Sequence, residues 1–163
     1  MKNHLKNKSE YKFIIADSKE EFAIGKLLFR EYSSSLNIDL CFQNFDKELE
    51  EINIQYNHPD GGLILILYDS KYIACAGIRK FEDGICELKR MYIKPEYRGF
   101  GLGKKLVKKS IKLAAELGYK KIRLDTLSSM KAAVHLYKQN GFKEMVPYRF
   151  NPSDDVLYFE KDI

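Results

Sequence analysis

An α/β (α+β) fold, a mixed sheet of about seven strands with helices on both faces, is predicted from three observations. Apolar runs of strand length alternate with longer stretches of helical periodicity. The elements follow the order strand, two helices, three strands, helix, strand, helix, two strands. The 163 residues, 45% of them hydrophobic, can bury one sizeable core without covalent staples. The expectation is a single domain over residues 1–163, with no internal repeat, low-complexity segment or linker.

Residues 11–16 alternate like a strand, and Asp17 or Ser18 then caps a helical pattern carried by Phe22, Leu27, Leu28 and Tyr32. A second helix is expected over residues 44–56, ended by the breaker His58-Pro59-Asp60-Gly61-Gly62. Strands follow at 63–68 and 72–79 around a short Asp69-Ser70-Lys71 turn. Phe81-Glu82-Asp83-Gly84 turns the chain again into a strand over 85–93, closed by Pro95. The clearest helix comes next: Leu106, Val107, Ile111, Ala114 and Leu117 share one face, lysines the other, and Gly118 stops it. A strand at 121–126 is followed by a short helix through Ala132, Ala133, Leu136 and Tyr137, closed by Asn140-Gly141. Strands near 142–146 and 156–160 complete the order.

Bulk properties narrow the function. Cys41, Cys75 and Cys86 lack paired spacing and sit in apolar surroundings, so they are expected to be buried free thiols, neither metal ligands nor disulfides. The basic N-terminus has no apolar segment, and the longest apolar run is far shorter than a bilayer crossing, so a soluble, unexported, cytoplasmic protein with no membrane role is expected. The net charge of +5 is modest and concentrates at Lys104, Lys105, Lys108, Lys109 and Lys112. No aromatics interleave with those lysines, which argues against nucleic acid, and a solvated helix face competes with an anion site for them.

Gly99, Gly101 and Gly103 alternate behind Arg98 and ahead of that lysine-rich helix. A turn of small residues opening a helix leaves first-turn amides unpaired at the positive end of the helix dipole, where a pyrophosphate can approach the backbone. Arg98 and Lys104 add charged donors on either flank. The pattern is neither a Walker loop, which needs glycine at Arg98 and a hydroxyl at Lys105, nor a dinucleotide turn, which needs glycine at Lys104. A tight turn without a ligand is the competing reading.

The segment CELKRMYIKPEYRGFGLGKKLVKKSIKLAAELGYKKIRLDT, followed by AAVHLYKQNGF, resembles the GNAT superfamily of acyl-CoA-dependent N-acyltransferases. The resemblance covers residues 86–142 and implies a mostly antiparallel sheet whose two parallel strands, 87–93 and 121–126, splay apart around acetyl-CoA. It implies a cofactor site made by Met91, Tyr92, Ile93, Arg98, Gly99, Phe100, Gly101, Leu102, Gly103 and Lys104. No metal is implied, and a homodimer is compatible with it. One position departs from the family pattern: Met130 stands where many members carry asparagine, with Ser128 and Ser129 before it. Ser129 is a candidate replacement, with a helix N-cap as its blander and favoured role.

Acetyl transfer from a thioester to an amine needs a neutral amine, a polarised carbonyl and a proton for the departing thiolate. The resemblance implies backbone amides of Met91 or Ile93 against the thioester oxygen and Tyr137 as proton donor to sulfur, against its alternative as a core tyrosine beside Ala133 and Leu136. Glu87 is the first candidate for the base, with a cross-strand ion pair as the alternative; unless a bulge resets the register, Glu87, Lys89 and Met91 share a face opposite Arg90. Asp125 is a further candidate. None of His4, His58 and His135 is placed for catalysis, His135 being assigned to the helix face opposite Ala133 and Tyr137. Phe42, Gln43 and Phe45, with Tyr148 and Arg149, are expected to wall the acceptor side. The function expected is N-acetylation of a small-molecule primary amine; the alternatives are a protein or peptide N-acetyltransferase and a non-catalytic acyl-CoA-binding sensor.

Overall fold

The computed structural model describes residues 10–163, so His4 lies outside the described residues. Seven strands, β1 (Lys12–Ile15), β2 (Gly62–Tyr68), β3 (Lys71–Glu82), β4 (Ile85–Ile93), β5 (Lys121–Leu127), β6 (Lys143–Met145) and β7 (Val156–Asp162), form one sheet in the order β1-β2-β3-β4-β5-β7-β6. Every neighbouring pair is antiparallel except β4–β5. That parallel pair is short. Ile85, Cys86 and Glu87 face Lys121, Ile122 and Arg123, after which β4 leaves β5 while β5 stays paired to β7 as far as Leu127.

Helices cover both faces, as the element order predicts. On one side α1 (Lys19–Ser35), α2 (Phe45–Glu50) and α3 (Ile52–Gln55) bury Phe22, Phe29, Leu49 and Tyr56 against Leu63, Leu65 and Cys75. On the other, α4 (Leu102–Glu116) and α5 (Lys131–Gln139) bury Leu106, Val107, Ala114 and Tyr137 against Ile64, Ile78, Leu88 and Phe159. Ser18 caps α1 by accepting from the Glu21 amide at 3.2 Å.

Three expectations need correction. The single helix over 44–56 is two short helices, α2 and α3, divided at Glu51; a 3-10 turn (Cys41–Gln43) precedes them, set off from α2 by the left-handed φ of 54° at Asn44. Leu27 is 58% exposed, since the buried stripe of α1 runs through Phe22, Gly25, Leu28 and Phe29. Cys41 is an exposed thiol, whereas Cys75 and Cys86 are buried as expected. Among the described residues no helix is long and apolar enough to cross a membrane, and no cluster of His, Cys, Asp or Glu is arranged to hold a metal ion.

The feature that shapes the site is a bulge in β4. Gly77 pairs with Lys89 and Cys75 with Tyr92, so Ala76 alone faces both Arg90 and Met91. Arg90 takes up the extra residue at φ +56°, a conformation that costs an L-residue about 1–2 kcal/mol. Before the bulge Cys86 and Leu88 point to the α4 side; after it Tyr92 points to the α1 side, and Met91 and Ile93 pack toward α4. Glu87, Lys89 and Arg90 therefore share the α1–α2 side of the sheet, the register change that strict alternation misses.

Candidate active site

Where β4 leaves β5, a groove of about 550 Å³ opens between the end of β4, the start of α4 and the first turn of α5. Met91, Ile93, Arg98, Gly103, Met130 and Leu136 are among its walls, and a second hollow of about 370 Å³ continues it past Gly99, Gly101, Lys104 and His135. The amide of Lys105 makes a long helix bond of 3.5 Å to the Gly101 carbonyl, leaving the amides of Leu102, Gly103 and Lys104 without a preceding helix carbonyl. Gly99 and Gly101 have φ of +85° and +76°, so the turn into α4 depends on glycine there. Gly103 is helical, and its glycine serves close approach: a Cβ would stand 3.1 Å from Leu136 Cδ2 on the opposite wall.

Several side chains assigned to this loop have other tasks. Arg98 Nε donates to the Ile93 carbonyl at 2.9 Å and its guanidinium lies over the Tyr92 ring, which fastens the loop to the end of β4. Leu102 is buried in the core and Tyr92 packs in the α1-side core, yet Tyr92 also lines the groove and Leu102 its continuation; Phe100 is 64% exposed. Ser129 is not the cap of α5; Met130 occupies that position without a side-chain cap bond, and both line the groove.

Behind the splay lies a charged cluster. Glu87 and Lys89 are 2% and 3% exposed. Lys89 Nζ donates to Gln43 Oε1 at 3.2 Å and stands 3.9 Å from Glu87 Oε2 and 4.0 Å from Asp125 Oδ1. Arg149 Nη2 pairs with Glu87 Oε1, Arg79 approaches the same oxygen at 3.7 Å, and the Tyr148 hydroxyl donates to Glu87 Oε2 at 3.5 Å. Among the described residues Asp125 Oδ2 and Arg149 Nε are buried without hydrogen-bond partners, facing each other across 3.9 Å. Phe81 and Tyr148 stack under the guanidinium of Arg149 at 5.9 and 5.2 Å, and the cluster borders a cavity of about 430 Å³ lined by Arg79, Phe81, Glu87 and Arg149.

Burial sets the protonation of these groups. It pulls the Lys89 ammonium down to about 8, against the opposing pull of Asp125 and Glu87. It pushes the hydroxyls of Tyr137 and Tyr148 well above the ordinary phenol range; the negative charge of Asp125 adds to both. Tyr137 packs edge-on against Phe142 at 5.8 Å and is 7% exposed.

Gln43, Glu87, Asp125, Tyr148 and Arg149, named separately from the sequence, thus meet in one cluster; the side chain of Phe42 lies outside the described residues, and Phe45 packs in the core over Arg90. Sequence reasoning missed Lys89, Arg79 and His135. Lys89 escaped because a lysine on a strand reads as solvated. His135 keeps the exposed face of α5 opposite Ala133 and Tyr137, as assigned, but lines the second hollow with Leu136 and Gln139 because that hollow extends round the outer side of α5.

The model of the Acetyltransferase (GNAT) family matches residues 23–142. An uncharacterized N-acetyltransferase of Schizosaccharomyces pombe is 40% identical over 141 residues, 85% of this chain and 86% of its own. An acetyltransferase structure from Streptococcus agalactiae superposes with a TM-score of 0.76 over 94% of this chain and 98% of its own, at 20% identity. A Salmonella typhimurium protein solved with its cofactor acetyl-CoA superposes at 0.67 over 93% of both chains, at 17% identity.

Proposed function

The chain belongs to the GNAT acetyltransferase family, and we propose that it is one N-acetyltransferase domain moving the acetyl group of acetyl-CoA to the primary amine of a small molecule. The observation that carries the reading is the continuity of the groove, from the unpaired first-turn amides of α4 to the splayed end of β4, with a buried charged cluster directly behind it.

The residues present fit acetyl-CoA. The amides of Leu102, Gly103 and Lys104 with the α4 dipole suit a pyrophosphate, and the mostly apolar wall of Met91, Ile93, Ala133 and Leu136 suits a pantetheine arm. Bound there, the cofactor supplies an activated thioester. Beyond Glu87, β5 no longer pairs with β4, so the amides of Met91 and Ile93 have no β5 partner at the splay, while the Ile93 carbonyl accepts from Arg98. Asp125 Oδ2, buried and without a hydrogen-bond partner among the described residues, is suited to accept from the incoming amine. Glu87 takes the amine proton as the C–N bond forms and the C–S bond breaks. Tyr137, held protonated by burial, gives its proton to the sulfur. The bordering cavity, about 430 Å³, has room for a small acceptor.

The test is a thiol-release assay with acetyl-CoA against a panel of diamines, amino acids and amino sugars. Release that depends on a particular amine, with one acetylated amine per thiol by mass spectrometry, is the expected result. Release no faster than in its absence for every amine contradicts the proposal.

A further inference from the structure

The bulge of β4 is held from outside the strand. Arg90 is 6% exposed, and its guanidinium forms a fork to Glu48 of α2: Nε to Oε1 at 3.1 Å and Nη2 to Oε2 at 2.7 Å. Glu48 is 1% exposed and also accepts from the Tyr56 hydroxyl at 2.5 Å, while the Phe45 ring lies 5.1 Å beneath the guanidinium. Tyr56 in turn packs on Gly77, the partner of Lys89 at the edge of the bulge; a Cβ there would stand 2.4 Å from its ring. The Cys75 thiol donates to the Arg90 carbonyl at 3.3 Å.

A buried ion pair is poor evidence for stability, since apolar residues of equal volume commonly do as well. This one is attached to an arginine whose left-handed backbone is costly for an L-residue, and it adds to the Cys75 thiol bond in holding that conformation. Relaxing Arg90 to an extended conformation removes the bulge, and a one-residue slip then moves the side chains of Met91 and Ile93 from the α4 side of the sheet to the α1 side, and that of Tyr92 the other way. We propose that Glu48 and Arg90 are positioning residues for acyl transfer, the fork from α2 holding the bulge that sets how the end of β4 faces the thioester. The proposal rests on the acetyltransferase reading above. It also explains why a six-residue helix outside the groove carries a fully buried carboxylate.

Two double variants separate positioning from packing. Glu48→Gln with Arg90→Met removes both charges and keeps the volume but leaves a residue that disfavours left-handed φ. Glu48→Gln with Arg90→Gly removes both charges and more volume but adopts that φ freely. The expected result is a loss of kcat of about 10- to 10²-fold in the methionine variant, the scale of a misplaced reacting group, with acetyl-CoA affinity within about threefold because the α4 amides are untouched. The glycine variant, despite its larger cavity, should recover kcat to within about threefold of wild type. A clamp that served packing alone gives equal kcat per folded molecule in both variants, and a methionine variant with wild-type kcat, or a glycine variant as slow as the methionine one, overturns the proposal. Should the methionine variant not fold, Glu48→Gln alone carries the same expectation at smaller amplitude. If wild-type protein neither binds acetyl-CoA nor releases thiol, the functional reading has failed; the backbone chemical shifts of Met91 and Tyr92 still report the bulge, moving in the methionine variant and returning in the glycine variant if the clamp holds.

Discussion

Replacing Lys89 with methionine should change the pH dependence of stability in a calculable way. The Lys89 amine is buried among Gln43, Glu87 and Asp125, and burial lowers it from 10.5 to about 8. Between pH 8 and pH 10.5 the unfolded chain holds a proton there that the folded chain has released, so folded stability rises with pH across that window. Below pH 8 both states are protonated, and the cost of keeping a charged ammonium in the cluster is present in full. At ~1.36 kcal/mol per pH unit the difference amounts to on the order of 3 kcal/mol. Lys89→Met has no such group. Urea unfolding of both proteins at pH 7, 8, 9 and 10 should therefore show wild type gaining on the variant by ~2 kcal/mol between pH 8 and 10. Other titrating groups are common to the two chains and largely cancel. Parallel stability profiles would refute the assignment of a depressed, buried ammonium to Lys89.

Tyr137→Phe keeps the ring against Phe142 and Phe159; steady-state kinetics should show kcat reduced by the 10²- to 10⁴-fold typical of a lost acid–base group, with acetyl-CoA affinity nearly unchanged. Full turnover in that variant would return Tyr137 to a packing role. Gly103→Val places a Cβ 3.1 Å from Leu136 Cδ2 and narrows the groove where its walls are closest; calorimetry should show acetyl-CoA affinity reduced by about tenfold or more, ~1.4 kcal/mol, with the fold retained by circular dichroism. Lys104→Glu, at the start of α4, should weaken acetyl-CoA binding more than Lys112→Glu, two turns on and paired with Glu116 at 3.6 Å, and the gap should shrink with added salt. Equal losses would assign the lysines to a solvated face.

Much of the architecture was legible because its signals are local. The seven strands fall within a few residues of their expected places, since alternation, turn residues and helix stops such as Gly118 and Gly141 act over a handful of neighbours. The second helix differs from the single stretch expected because the break at Glu51 has no glycine or proline to mark it. The loop from Arg98 to Lys104 could be read for its backbone, although the structure gives the side chains of Arg98, Leu102 and Tyr92 structural tasks. On the acceptor side the residues could be named but their partners could not. Arg149 meets Glu87 across 62 positions of chain, a contact no periodicity encodes. The bulge was least visible of all: Lys89-Arg90-Met91 looks like ordinary strand, and only the buried Glu48 explains why Arg90 leaves the pattern.

Backbone NMR titration of the wild-type protein with acetyl-CoA tests the central claim most directly, because it reports where the cofactor sits without requiring the acceptor. The amides of residues 91–93 and 99–104, together with those of Ala132, Ala133 and Leu136, should shift saturably at one molecule per chain, while the cavity between Asp60 and Arg79 stays unperturbed. Saturable binding that leaves the start of α4 and the end of β4 unmoved, or the absence of binding at millimolar acetyl-CoA, would contradict the account.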